Sequence, residues 1–157
     1  NVGVGFIFAS GTVGACFEGN IAGIPGLALS QELSPEQFHH WMDERCFSPD
    51  VEQRLSESLE RLIPMVWEEF IDLESAVANT WNINFPGEAH RDLGIKRTRL
   101  GHTFYDACFV QKGDQYHHHL SLARVDEDPA TDDCVIRSGH VSASLLDMRA
   151  FGQDTRD

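Results

Sequence analysis

The sequence predicts an α/β fold, helix-rich in its first part and built from antiparallel hairpins in its last third. Three observations point there. A run of small residues, "SGTVGACFEGNIAG" (10–23), passes through Pro25 into the short apolar stretch "GLALS" (26–30). Two later segments open on Ser-Pro, and the second repeats apolar residues at helical spacing. Beyond residue 81, short strand-like runs alternate with Gly-, Pro- and Asp-rich turns. With 157 residues and 41% hydrophobic content, the chain is long enough for one domain with a sizeable core.

Residues 1–9 read as a Gly-rich loop. Ser10 is a good N-cap, because its side-chain oxygen can accept from an amide two or three residues on. A helix then runs from about Gly11 to Ala22. Glycine inside a helix costs about 1 kcal/mol against alanine, so Gly14 and Gly19 point to close packing on a sheet. Gly23 ends this helix, Pro25 prevents its restart, and 26–30 forms a buried strand. "SPEQFHHWMDERC" starts a helix at Ser34, with Pro at its first position and Glu next.

"SPDVEQRLSESLERLIPMVWEEFIDLESAVANTW" carries Val51, Leu55, Leu59 and Leu62 on one face, with acids and Arg opposite. Pro64 is expected to kink or divide this helix, and Glu68, Glu69 and Asp72 form a solvated face. "WNINFPG" (81–87) is a strand ended by Pro-Gly. Strands follow at 95–100, 104–110, 115–123 and 140–148, with an acidic loop at 126–133 and a helical turn over "DDCVIRSG". No repeat or low-complexity segment occurs. The domain thus spans 1–157, with an α/β part over 1–87 and a hairpin-rich part over 88–157.

The charge is lopsided: 25 acids against 12 Lys and Arg give −13 and a pI near 4.8. That balance argues against nucleic-acid polymer or polybasic membrane contacts, which need clustered cations, while leaving room for a small anionic substrate at a local site. No apolar run approaches the roughly 20 residues of a membrane helix. Cys16, Cys46, Cys108 and Cys134 are scattered without C-x-x-C spacing and read as reduced thiols of a cytoplasmic protein, with two disulfides as the other possibility. Asn1 is not a start methionine and enters directly on a Gly-rich loop, so further sequence is expected upstream.

Several clusters carry chemical potential. Ser10, Gly11 and Thr12 open a helix; free amides, the helix dipole and two hydroxyls there suit an anion, and the same residues also describe an ordinary cap. In "YHHHL", His117 and His119 share one strand face, a spacing that suits a metal, whereas His118 points away; exposed strand residues or a subunit contact is the simpler reading. His39, His40 and His102 are weaker candidates still, and no local signature supports a Cys–His nucleophile. There is no Walker loop and no H-E-x-x-H, and "GVGFIF" is not a dinucleotide fingerprint.

Taken in order, four segments resemble the SurE family of survival-protein phosphatases. "NVG…SGTVGACFEGNIAGIPGLALS" is similar to that family's "N-hydrophobic-G…SGTVGAAxEGxxxGxPxxAxS", and "WNINFPG" to its "LNVNxP". "IKRTRLG" resembles its "xxxTRLG" strand, and "TDDCVIRSGHVSASLLDM" its "TDxxAxxxGYVSxTPLxxD". The resemblance implies a Rossmann-like three-layer α/β sheet whose extended C-terminal hairpins exchange between subunits in homodimers or tetramers. It implies a metal-dependent acid phosphatase and 5′/3′-nucleotidase acting on nucleoside monophosphates and similar small phosphomonoesters, some members also cutting short polyphosphate. Matched residue by residue, the phosphate-holding Ser-Gly-Thr falls on Ser10, Gly11 and Thr12, and the second Asn of the family's "SGxNxGxNxG" loop on Asn1.

The departures from the pattern shape these expectations. The family's divalent metal, Mg or Mn, sits on an "NDDG" Asp pair, a Ser and the first Asn of that loop, all of which would lie upstream of Asn1. Asp132 and Asp133 do not replace them, because their neighbours match the C-terminal segment. One extra residue separates the Asn-x-Gly from the Ser-Gly-Thr, "GHVSASLLD" lacks the family's Tyr and Pro, and an acidic, aromatic insertion occupies 31–50. The chain is thus expected to supply the phosphate-binding half of a metal-dependent site, its catalytic residues unassigned. The competing expectation is a non-catalytic nucleotide- or anion-binding module that mediates assembly.

Overall fold

The structure is a computed structural model that describes residues 1–70, 78–89, 92–119 and 121–151. Its centre is a mixed four-stranded sheet of β1 (Gly26–Gln31), β2 (Thr80–Phe85), β8 (Val141–Leu146) and β3 (Ile95–Thr98), in that spatial order. β1 runs parallel to β2 with Ser30 opposite Asn84, β8 runs antiparallel to β2, and β3 runs parallel to β8. The sheet therefore draws strands from both the helix-rich and the strand-rich parts of the sequence.

Strand alternation divides the core between the two faces. Ile83 and Phe85 of β2 and Val141 and Ala143 of β8 pack against Leu62, Val66 and Phe70 of α4 (Pro49–Phe70). Those three recur every four residues, which gathers them on one helix face. On the opposite face, Ala28 and Leu146 meet Ile7 of α1 (Val4–Ile7) and Val13 of α2 (Gly11–Ile21). Helices on both faces of one sheet make the three-layer α/β arrangement that the resemblance implies.

The cap signals are realised. Ser10 Oγ accepts from the Val13 amide at 3.2 Å. Ser34 and Gln37 form a reciprocal capping box at the start of α3 (Pro35–Glu44). α3 buries none of its residues, so the insertion lies on the surface. Gly26 is demanded by close approach: a Cβ there would stand 2.6 Å from Cys16 Cβ and 2.8 Å from Thr80 Oγ1. α2 thus rests directly on the start of β1.

Two expectations are corrected. Residues 1–9 are not all loop, because Val4–Ile7 form the short helix α1. The Val4 and Gly5 amides donate to the carbonyls of Gly101 and Thr103, and Ile7 is buried, so contacts remote in sequence hold this turn. Of the two outcomes expected at Pro64, division is excluded, because α4 runs unbroken to Phe70. The carbonyl it leaves without an intrahelical donor belongs to Glu60, an exposed residue that water can reach. Glu68 and Glu69 are exposed, and Asp72 lies outside the described residues.

The segment expected as two long strands folds into nested hairpin ladders: β4 (Phe104–Tyr105) pairs with β7 (Leu122–Arg124), and β5 (Phe109–Lys112) with β6 (Gln115–His118). The last third also holds α5 (Asp132–Arg137), the expected helical turn, and a 3-10 turn at Met148–Ala150 after β8. Among the described residues, no helix is long and apolar enough to cross a membrane.

Candidate functional site

The site is built where the carboxyl ends of the parallel strands β1 and β2 lie side by side. Asn20 of α2 donates to the Asn79 carbonyl and accepts from Thr80 Oγ1 at 2.7 Å, at the start of β2, while Cys16 covers Gly26 at the start of β1. α2 runs back along the strands, so its N-terminus faces their carboxyl ends. That is the crevice in which open α/β sheets bind ligands. Ser10 is half-buried and Gly11 and Thr12 are exposed. A Cβ placed on Gly11 or Gly14 would meet no atom within 4 Å, so the helix mouth opens to solvent.

Asn1 sits on the polar face of the sheet at the same strand ends. Its Nδ2 donates to Ser30 Oγ at 2.8 Å, its backbone nitrogen donates to Asn84 Oδ1 at 2.7 Å, and its carbonyl accepts from Asn82 Nδ2 at 2.9 Å. Asn84 Nδ2 in turn donates to Ser142 Oγ at 3.3 Å. Asn82 and Asn84 are buried, and Asn82 Oδ1 has no hydrogen-bond partner among the described residues. A polar row of Ser30, Asn82, Asn84 and Ser142 therefore replaces the apolar packing of the other face, and it holds Asn1 at the strand ends.

The loop carrying Asn1 is fixed from behind. Gly3 has φ 76° and no room for a side chain, since a Cβ would lie 2.6 Å from Thr103 Cβ. Its amide donates to Asp132 Oδ2 at 2.7 Å, and the Gly101 amide donates to Asp132 Oδ1 at 2.8 Å. Burial pushes the Asp132 carboxyl above its ordinary value, against these amide bonds, which favour the charged form. Asp133 Oδ2 accepts from Thr103 Oγ1 at 2.8 Å, and Asp133 Oδ1 lies 3.4 Å from Arg137 Nε. Both carboxylates are thus engaged by the surrounding fold.

The structure brings Asn1 and the Ser10–Thr12 turn to the same end of the sheet, and it leaves the histidines elsewhere. His117 lies on β6 and His119 just beyond it, both exposed, in a ladder separate from the main sheet. His39 and His40 are exposed on α3, and His102 Nδ1 stands 3.5 Å from Asp126 Oδ2. All four cysteines are free thiols. Cys134 lies against Arg137 and the Asp126 carbonyl, and burial pushes the Cys16 thiol up. Among the described residues, no three of His, Cys, Asp and Glu converge on a metal-sized site.

Sequence reasoning did not single out Ser30, Asn82 or Asn84, and it weighed Asp132 only as a metal ligand, not as an anchor of the Asn1 loop. The signal for the asparagines was present in "TWNINF", where two amides alternate with large apolar residues on a strand otherwise buried on both faces. Asp132 carried no such signal, because its partners lie 31 and 129 residues away.

Comparison with known proteins agrees with this fold. The family model described as "Survival protein SurE" matches residues 1–107. The chain is 29% identical over 153 residues to the 5′-nucleotidase SurE 1 of Burkholderia lata, an alignment covering 93% of this chain and 53% of that protein. It is 31% identical over 152 residues to the 5′-nucleotidase SurE of Syntrophobacter fumaroxidans, covering 93% of this chain and 54% of that protein. The chain thus spans about half the length of the curated relatives it matches. Its fold is shared with the crystal structure of a SurE protein from Aquifex aeolicus, with a TM-score of 0.58 at 19% identity, covering 96% of this chain and 57% of that one.

Proposed function

The chain belongs to the survival protein SurE family, and from that premise we propose that it contributes the phosphate-binding half of a nucleoside monophosphate phosphatase, a 5′/3′-nucleotidase. The observation that carries this reading is the open N-terminus of α2 at the carboxyl ends of β1 and β2, with Asn1 held beside it by Ser30, Asn82 and Asn84.

In this reading, the α2 amides and the Thr12 hydroxyl donate to the non-bridging oxygens of the phosphoryl group. The helix dipole and these preorganised donors stabilise charge as it develops on those oxygens. Ser10 holds the turn in shape through its bond to Val13, and Asn1 borders the seat. The described residues do not complete a metal site: Asp132 and Asp133 spend their oxygens on Gly3, Gly101, Thr103 and Arg137. In this reading the ligands of the divalent metal, Mg or Mn, come from sequence outside these 157 residues, as the SurE pattern implies. The hairpin formed by β4–β7 would exchange between copies in a homodimer or tetramer. The four free thiols suit a reducing compartment such as the cytoplasm.

The test is phosphate release from adenosine 5′-monophosphate and 3′-monophosphate in Mg²⁺ or Mn²⁺, using protein expressed from its complete reading frame and, in parallel, the 157 residues alone. Turnover by the former and none by the latter is expected. Turnover by the 157 residues alone overturns the assignment of the metal ligands. Nucleotide binding without turnover in either form favours the non-catalytic anion-binding module.

A further inference from the structure

A second concavity, of about 350 Å³, lies at the same carboxyl ends of β1 and β2. Glu32 directly follows β1, and Gly87 and Glu88 follow β2. The start of α3, with Leu33 and Gln37, closes one side, and Ile136 and Arg137 at the end of α5 close the other. The insertion at 31–50 thus forms one wall. The Gly87 amide donates to Glu32 Oε2 at 2.8 Å, which ties the two strand ends together and sets the Glu32 carboxylate at the cleft.

The cleft and the proposed phosphate seat share the carboxyl end of β1. Asn1 Nδ2 is bonded to Ser30, two residues before Glu32. A phosphoryl group at the mouth of α2 would lie at the same end of the sheet as this cleft, whose volume suits a group of nucleoside size.

Its electrostatics are one-sided. Glu32 and Glu88 are exposed carboxylates. The opposing cation, Arg137, is engaged by its own surroundings: Nη2 donates to the Asp126 carbonyl at 2.8 Å, and Nε lies 3.4 Å from Asp133 Oδ1. A ligand entering the cleft meets the Glu32 and Glu88 carboxylates between walls of mixed polar and apolar residues.

Resting on the phosphatase reading above, we infer that this cleft takes the leaving group of the substrate, and that Glu32 and Glu88 select a neutral, hydroxyl-bearing group against one carrying a second phosphate. Hydroxyls can donate to the two carboxylates, whereas a second phosphate is repelled by both. Selection by repulsion of the wrong partner is an effective route to specificity.

The experiment compares equilibrium binding of adenosine 5′-monophosphate and adenosine 3′,5′-bisphosphate to the wild type, Glu32→Gln/Glu88→Gln and Glu88→Lys, in protein expressed from its complete reading frame. At low salt the wild type is expected to prefer the monophosphate about tenfold, the double variant to narrow that ratio about fivefold, and Glu88→Lys to narrow or reverse it. Glu88→Lys alters an exposed side chain, so it keeps the test valid where the change at Glu32, which bonds Gly87, unfolds the protein. Equal binding of the two nucleotides by the wild type, no binding of either, or a ratio unmoved in every folded variant overturns the inference. Loss of the phosphatase reading shows separately, as absence of phosphate release from the monophosphate while the binding ratio still shifts with Glu32 and Glu88.

Discussion

Asp132 accepts the amide of Gly3 at 2.7 Å, joining two residues 129 positions apart in the chain. Its other carboxylate oxygen takes the Gly101 amide, so one buried side chain pins the loop that carries Asn1 to the segment after β3. Replacing it with alanine leaves two buried donors without acceptors, at about 1–3 kcal/mol each. We expect Asp132→Ala to lower stability by about 2–5 kcal/mol in urea unfolding. In folded protein it should weaken phosphate binding through the displaced Asn1, and unchanged stability would remove this role.

The helix mouth allows capping to be separated from anion binding. Ser10 makes the cap bond to Val13, whereas Thr12 is exposed. Ser10→Ala should cost about 1 kcal/mol of stability. Thr12→Ala should change stability by less than about 0.5 kcal/mol while weakening inorganic phosphate binding severalfold. Equal phosphate affinity in Thr12→Ala and the wild type, by calorimetry, would count against the seat.

Acid should loosen the loop at 126–133 through Asp126. Its carboxylate accepts from the backbone amides of His102 and then Asp128, which hold its pKa down at about 2, against 3.8 unperturbed. A depressed folded-state pKa gives stability that is present above about 3.8 and lost as pH falls toward about 2. Asp126→Asn should therefore flatten the fall in Tm across that window, and an identical Tm profile for variant and wild type would refute the assignment.

Gly26 tests the seating of α2. A methyl group there would collide with Cys16 Cβ and Thr80 Oγ1. Gly26→Ala should cost about 1–3 kcal/mol through overpacking. Because it lifts the helix whose N-terminus forms the seat, it should also weaken phosphate binding, although it lies at the opposite end of β1. A stability equal to wild type in thermal unfolding would show that α2 does not rest on this glycine.

Much of the fold was legible because its signals are local. Ser10 and Ser34 mark their helices through side-chain bonds only three residues long, and the repeat of Leu62, Val66 and Phe70 follows from helix geometry. The misread places lacked a local cause. Val4–Ile7 turn into a helix on carbonyls about a hundred residues away, and Pro64 is tolerated because the carbonyl it orphans faces water.

By itself the sequence determined where α2 and α3 begin and which strand positions are apolar, and it offered the Ser10–Thr12 turn as the candidate seat. Each depends on residues within a few positions of one another. Only the tertiary structure decided that β8 lies between β2 and β3, that Asn82 and Asn84 face Asn1, and that the acidic run at 126–133 divides. Asp126 stays partly exposed, whereas Asp132 becomes a buried pin. The physical reason is that a buried polar group must be paired, and its partner is chosen by chain crossings in space that no neighbouring residue announces.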